Sequence, residues 1–240
     1  MKVIVMDNAF EISKAVSSII ISEVKNNPKA VLGFATGASP VETYKRMIEA
    51  CQNGEVSFKN ITTFNLDEYC GLEKTDENSY FYFMKDNLFG KTDVDFKKVN
   101  FLSGDESQSE ESCREYEEKI KAAGGIDIQL LGIGTNGHIG FNEPSDSFSD
   151  GPFKVKLTQS TIDSNSKYFK DKKMPSYALT MGIGDIMRAK KIILIATGES
   201  KANAVFKMVK GEVTPSCPAS VLQNHADAVI YLDKESAKLL

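Results

Sequence analysis

The stretch LLGIGTNGHIGFNEP, residues 130–144, decides what kind of α/β chain this is. Its residues 132–137 spell GxGxxG, the pattern of a dinucleotide-binding loop, but such a loop must open a helix at its last glycine and find an acidic partner about 20 positions on. Here Gly140 and Pro144 follow within seven residues of Gly137 and break any helix. The match also falls halfway along the chain rather than in a first strand-helix unit. The stretch therefore reads as a strand running into a catalytic loop, and no nicotinamide or flavin is expected.

Outward from this loop the chain alternates short β-branched runs with amphipathic stretches. The runs are KVIVM (2–6), AVLGFA (30–35), ITTFNL (61–66), VNFL (99–102), IDIQLLGIG (126–134), KIILIAT (191–197) and AVIYL (228–232). Helical patterns lie between them at 11–27, 41–52, 109–124 and 200–211. This alternation predicts an α/β fold with a mostly parallel sheet covered by helices. Ser39-Pro40-Val41-Glu42 reads as a capping box, with Ser39 as the cap of the helix over 41–52. Between 145 and 190 the pattern is less regular: SDSFSDGP reads as a loop, KVKLTQST (154–161) as a strand and SNSKYFKDKK (164–173) as a short lysine-rich helix. Such a late segment suits a mobile cover, and a lid is expected over about 145–175 of a single domain spanning 1–240.

The composition narrows the partners. Lys+Arg 29 against Asp+Glu 33 is near balance, so nothing advertises a nucleic-acid or anionic-membrane surface, and a small molecule is the expected partner. The start, MKVIVMDNAFEIS, is too short in its apolar run and too acidic for a signal peptide, and no run spans a bilayer. The expected compartment is the cytoplasm. Cys51, Cys70, Cys113 and Cys217 are far apart and form no CxxC pair, so free thiols are expected and no metal site.

In open α/β sheets ligands bind beyond the carboxyl ends of the strands. The polar groups there are Thr36-Gly37-Ala38-Ser39, Asp67-Glu68-Tyr69, Thr135-Asn136-Gly137-His138 and Gly198-Glu199-Ser200-Lys201. The first combines a glycine, two hydroxyls and the bare N–H groups of a helix start, which suit a phosphate but also describe an ordinary capped turn. Lys201 is either its cationic partner or a solvated lysine. Asp67 follows apolar residues that would raise its pKa and suit a general base; an aspartate after a strand is also often a turn or cap residue, and taken alone that is the commoner role. Histidine is the side chain type whose charge changes near physiological pH, and His138 has Glu143 five residues on, an arrangement that serves acid–base chemistry or a structural loop alike.

Taken together, TGASPVETY (36–44), FNLDEYCGL (64–72), GIGTNGHIGFNEP (132–144), YALTMGIGDI (177–186) and ATGESKA (196–202) closely resemble the glucosamine-6-phosphate deaminase family, in order over almost the whole chain. The resemblance implies a modified Rossmann-like three-layer fold with a lid. It also implies conversion of glucosamine 6-phosphate and water to fructose 6-phosphate and ammonia, in amino-sugar catabolism, without a redox cofactor or catalytic metal. Asp67 matches the family's base at carbon 2, His138 the group that exchanges a proton with the ring oxygen, and Glu143 its supporting carboxylate. Asn136 stands where many members carry aspartate and others asparagine; an amide can hold the imidazole but cannot stabilise its cation by charge. Thr36, Gly37, Ala38, Ser39 and Lys201 match the phosphate cradle, and Lys167 falls where relatives place a lid arginine. Phe153 and Val155 stand where longer members carry charge, and the chain ends at Leu240 without their carboxyl-terminal extension. Activation by the N-acetylated sugar phosphate is accordingly not carried over, and self-association is left open.

Two rivals remain at this level. A 6-phosphogluconolactonase-like hydrolase shares the fold but needs no base at carbon 2, which FNLDEYCGL supplies. A sugar-phosphate sensor would bind without turnover, yet the chain shows no DNA-binding helix pair or basic arm.

Overall fold

The computed structural model describes residues 1–169 and 172–240. In chain order the elements are β1 (Lys2–Met6), α1 (Ala9–Asn26), β2 (Val31–Phe34), α2 (Val41–Gln52), β3 (Thr62–Asn65), β4 (Asp67–Tyr69), α3 (Tyr80–Asn87) and β5 (Val99–Asn100). They continue with α4 (Ser109–Ala122), β6 (Ile128–Leu131), β7 (Phe153–Lys156), α5 (Gln159–Ser166), β8 (Tyr177–Thr180), α6 (Ile183–Met187), β9 (Lys191–Ala196), α7 (Ala202–Lys210) and β10 (Ala228–Asp233).

Seven strands form one sheet in the order β1-β10-β9-β6-β2-β3-β5, and every pairing within it is parallel. These are the seven runs read from the sequence. Strand periodicity sorts their side chains between two layers: Ile192, Leu194 and Ala196 of β9 face a cluster with α4, α6 and α7, while Ile193 and Ile195 face one with α1, α2 and α3. The result is the expected three-layer α/β architecture. Truncating a buried side chain such as Ile193 to alanine costs about 2–5 kcal/mol, since the packed layers close only partly around the gap.

Winding runs from β2 through β3 to β5 in one direction, and from β6 through β9 to β10 in the other. Neighbouring β2 and β6 thus mark the point where the order reverses, and a crevice opens beyond their carboxyl ends. A second sheet, β4-β8-β7, is antiparallel and lies at this end of the molecule.

The structure corrects three local expectations. The strand read over 154–161 ends at Lys156, and a helix, α5, begins at Gln159 because the Thr158 hydroxyl caps it, accepting the Thr161 N–H at 3.4 Å. The lysine-rich helix read over 164–173 is not formed as such: α5 stops at Ser166, turns follow through Phe169, and residues 170 and 171 lie outside the described residues. Ser39 does not cap α2. Pro40 occupies the cap position in a helical conformation, with φ −86° and ψ −7°, and makes no side-chain cap hydrogen bond.

Among the described residues no helix is long and apolar enough to cross a membrane.

Candidate active site

A cleft of about 570 Å³ occupies the reversal point of the sheet. Its walls come from the segments after β2 (Ala35–Ser39), β3 (Leu66 and Asp67), β6 (Gly132–Asn136 and His138) and β9 (Thr197, Ser200 and Lys201), closed on one side by α5. Each segment follows a strand whose carboxyl end points the same way, which is why four regions far apart in sequence meet here. Nine of the ten sequence-selected residues line it: Thr36, Gly37, Ala38, Ser39, Asp67, Asn136, His138, Lys167 and Lys201. Glu143 stands one layer behind.

At one end the cleft is basic. Freed from capping, Ser39 joins Thr36 and Gly37 in the wall ahead of the uncapped start of α2, and Lys201 and Lys167 complete it. Burial, and then the charge of Lys167, hold the Lys201 ammonium below its ordinary pKa. The ammoniums of Lys201 and Lys167 and the uncapped N–H groups at the start of α2 make this end of the cleft electropositive. Asp233 fixes the loop that carries Lys201, its carboxylate accepting the Gly198 N–H at 2.9 and 3.1 Å.

Farther in lies Asp67, only 6% exposed at the start of β4. Among the described residues its carboxylate finds no hydrogen-bond donor. Burial, and secondarily the negative charge of Glu68, push its pKa well above the ordinary carboxylate range. Glu68 does a different job: it accepts N–H groups from Tyr69, Tyr80 and Phe81 at 2.8–2.9 Å, tying β4 to the start of α3. Burial still pushes its carboxyl up to about 7 against those donors.

The histidine loop forms a closed turn. The Gly134 N–H donates to the His138 carbonyl at 2.9 Å, and the Gly137 N–H to the Gly134 carbonyl at 3.0 Å. Those amides are consumed within the loop, which lacks the open N–H row and following helix that a pyrophosphate needs. The glycines also have an office the sequence did not reveal. A Cβ on Gly134 would sit 2.3 Å from the His138 ring, so that glycine makes room for the imidazole itself. Gly137 takes φ +92° with the Cys217 sulfur packed where a side chain would be.

Asn136 bridges the loop in both directions. Its Oδ1 accepts the His138 N–H at 3.2 Å and its Nδ2 donates to Glu143 Oε2 at 2.8 Å. That same Oε2 stands 3.4 Å from His138 Nδ1, at the outer limit of a hydrogen bond and without the alignment of one. Burial alone would raise the Glu143 pKa, but His138, Thr161 and Asn136 together hold the carboxyl down at about 2. The loop thus keeps an ionised carboxylate beside the imidazole.

Sequence reasoning missed Thr161, which reaches Glu143 from α5, and Thr180, which braces the histidine loop from β8. The helix start at Thr158 could have exposed the first, since a threonine followed by polar residues is a cap signal. The second depends on a strand pairing that no local pattern announces. Among the described residues no group of three or more His, Cys, Asp or Glu is arranged to hold a metal ion.

Fold and crevice together define a Rossmann-like α/β protein whose switch-point pocket joins a basic end to a buried carboxylate and a carboxylate-backed histidine. Comparison with known proteins takes this further. The chain belongs to the family of glucosamine-6-phosphate isomerases and 6-phosphogluconolactonases, whose model matches residues 7–231. It is 47% identical over 241 aligned positions to a glucosamine-6-phosphate deaminase of Thermoanaerobacter pseudethanolicus, covering 100% of this chain and 95% of that one. It is likewise 47% identical to a glucosamine-6-phosphate deaminase of Clostridium novyi, with 100% of both chains covered. A solved structure described as a monomeric glucosamine-6-phosphate deaminase superposes with a TM-score of 0.96 at 42% identity, covering 100% of each chain. The 6-phosphogluconolactonase of Trypanosoma brucei shares the fold alone, with a TM-score of 0.81 at 19% identity over 100% of this chain and 98% of that one.

Proposed function

We propose that the chain is a glucosamine-6-phosphate deaminase, converting glucosamine 6-phosphate and water to fructose 6-phosphate and ammonia. The observation that carries this reading is one cavity holding two acid–base groups, Asp67 and His138, together with a basic end formed by Lys201 and Lys167. The full-length likeness to deaminases supports it over the lactonase alternative.

The chemistry needs both groups. A closed pyranose has no acidic hydrogen on carbon 2, so His138 first takes the proton of the carbon 1 hydroxyl, becoming imidazolium, and passes it to the ring oxygen as the bond between that oxygen and carbon 1 breaks. Glu143, fixed as an anion, stabilises the imidazolium while the proton is in transit. Asp67 then removes the hydrogen from carbon 2 of the open chain and returns it to carbon 1, while a proton passes from the nitrogen to the carbon 1 oxygen, leaving a hydroxyl at carbon 1 and an imine at carbon 2. Water adds to that carbon and ammonia leaves. Hydrogen moves within the sugar and water replaces the amine, so the reaction is redox-neutral and needs no electron carrier.

Each acid–base group supplies roughly 10²–10⁴ in rate. The raised Asp67 pKa makes it a stronger base than a solvated carboxylate, at the cost of keeping it protonated over a wider pH range. The phosphate at Thr36–Ser39, Lys201 and Lys167 orients the sugar without entering the bonds that change.

We place the enzyme in the cytoplasm as a single domain, with residues of about 145–175 forming a lid of which α5 is the inner face. A lone chain as the working unit fits the description of the similar structure as monomeric. Supplying glucosamine 6-phosphate and measuring ammonia and fructose 6-phosphate together tests the activity. Equal amounts of the two are expected; hydrolysis of 6-phosphogluconolactone without ammonia release would instead establish the lactonase, and binding without turnover a sensor.

A further inference from the structure

We propose that Thr161 is a positioning residue for ring opening: from α5 it fixes the Glu143 carboxylate in the rotation that faces His138, an assignment that rests on the deaminase reading. The two oxygens of Glu143 are divided between two parts of the fold. Oε2 belongs to the loop, taking the Asn136 amide at 2.8 Å and facing His138 Nδ1 at 3.4 Å. Oε1 takes the hydroxyl of Thr161, from the helix that closes the cavity. Glu143 and Thr161 are 8% and 3% exposed, so no bulk water stands in for either partner.

A carboxylate held at one oxygen alone can swing about its last side-chain bond, whereas one held at both has a single plane. Thr161 is therefore what converts proximity of Glu143 and His138 into orientation. Position on α5 gives the contact a second consequence. The cavity-facing residues Ser160, Ser164 and Asn165 belong to the same helix, and Lys167 follows at its end. The segment carrying a lysine of the anion site is thus the one that aligns the carboxylate behind the imidazole. Helix α5 is anchored independently by Asn165, whose Nδ2 donates to the Tyr69 hydroxyl at 3.2 Å, and by the packing of Phe169 on the Tyr69 ring. Loss of the Thr161 hydroxyl should leave that anchorage standing.

The test compares Thr161→Val and Thr161→Ser with the unaltered protein. Thr161→Val should lower kcat on glucosamine 6-phosphate roughly tenfold to a hundredfold, the usual cost of a misplaced catalytic group, with KM changed by no more than about twofold because the anion site keeps its groups. Ring opening would then limit turnover, so the deuterium isotope effect at carbon 2 on kcat should shrink. Thr161→Ser, which keeps the hydroxyl, should restore both. An impaired Val variant with an undiminished isotope effect, or a Ser variant as poor as Val, overturns the assignment.

A measurement free of activity separates this claim from the functional reading. Ring-nitrogen NMR of the two histidines reports their tautomers, and His225 is an internal control, its Nε2 on the Ala189 carbonyl at 2.8 Å and its Nδ1 accepting the Asp227 N–H at 3.1 Å. In Thr161→Val the His138 nitrogens should move toward the values of averaged tautomers while His225 stays fixed. Unmoved His138 nitrogens overturn the role of Thr161 whatever the enzyme turns over. Absence of ammonia from the unaltered protein would overturn the deaminase reading alone.

Discussion

Asp67 and Thr180 stand opposite each other in the antiparallel pair β4–β8, and the Thr180 hydroxyl also accepts the Phe141 N–H at 3.0 Å. One residue thus spans the strand that carries the proposed base and the loop that carries the proposed ring-opening histidine. The adjoining Met181 carbonyl extends the brace by accepting the Asn142 side-chain amide at 2.8 Å. The two acid–base groups are set at a fixed separation through β8, although β8 supplies neither.

Removing that brace should be felt twice. Thr180→Val leaves the buried Phe141 N–H without an acceptor, which costs about 1–3 kcal/mol, and it loosens the loop relative to Asp67. A lower denaturation midpoint with an unchanged slope is expected, together with reduced kcat. Thr180→Ser should keep both near normal; if Val does as well as Ser, the hydroxyl is not the brace.

Asp67→Asn should destroy activity while making the fold more stable. The folded pKa of Asp67 lies well above that of an unfolded aspartate, about 3.9. Between those values the native state binds more protons than the unfolded one, so this group's stability contribution is full below pH 4 and is lost as pH rises through the folded pKa. The amide has no such penalty. Its melting temperature should exceed that of the unaltered protein at pH 8 and approach it at pH 3.5, while ammonia release falls by at least about a hundredfold. A variant with retained turnover removes Asp67 from the role of base.

The amide at position 136 governs the acid side of the reaction. In Asn136→Asp the 2.8 Å donor to Glu143 disappears and a second carboxylate takes its place, so the Glu143 pKa should climb from about 2. Above the unfolded value of about 4.3 the stability supplied by Glu143 is complete, and it is lost as pH falls through the folded value; the variant should therefore lose it at higher pH. Profiles of kcat/KM against pH should show the acid limb of the Asp variant displaced upward. Superimposable limbs would mean that Asn136 does not set the charge state of Glu143.

Lys201→Met should trade ligand binding for stability of the empty protein. Folding lowers the Lys201 pKa, so at neutral pH the buried charge costs stability, a cost relieved only as pH rises from the folded toward the unfolded value of about 10.4. A phosphate in the cleft should offset that cost. Inorganic phosphate is expected to raise the melting temperature of the unaltered protein and to leave Lys201→Met unmoved, with a higher KM for the sugar phosphate. Equal phosphate shifts in both proteins would place the anion elsewhere.

Periodicity and chain-end chemistry are local properties, and they determined much of this protein from the sequence. Each of the seven runs carries its own strand signal, and a parallel sheet gathers the polar residues after them at one edge, so Asp67, His138 and Lys201 could be named before any contact was known. The tertiary structure decided what those residues touch. Strands β4 and β8 are three and four residues long and pair Asp67 with Thr180 across more than a hundred positions, too short and too distant for any pattern in the chain to register. Ser39 was released from its helix because Pro40 turned early into the helical conformation, and Gly134 proved to be space for an imidazole. Thr161 found Glu143 only because α5 folds back over the cleft: a hydroxyl announces in sequence that it will form a hydrogen bond, but its partner is chosen by packing.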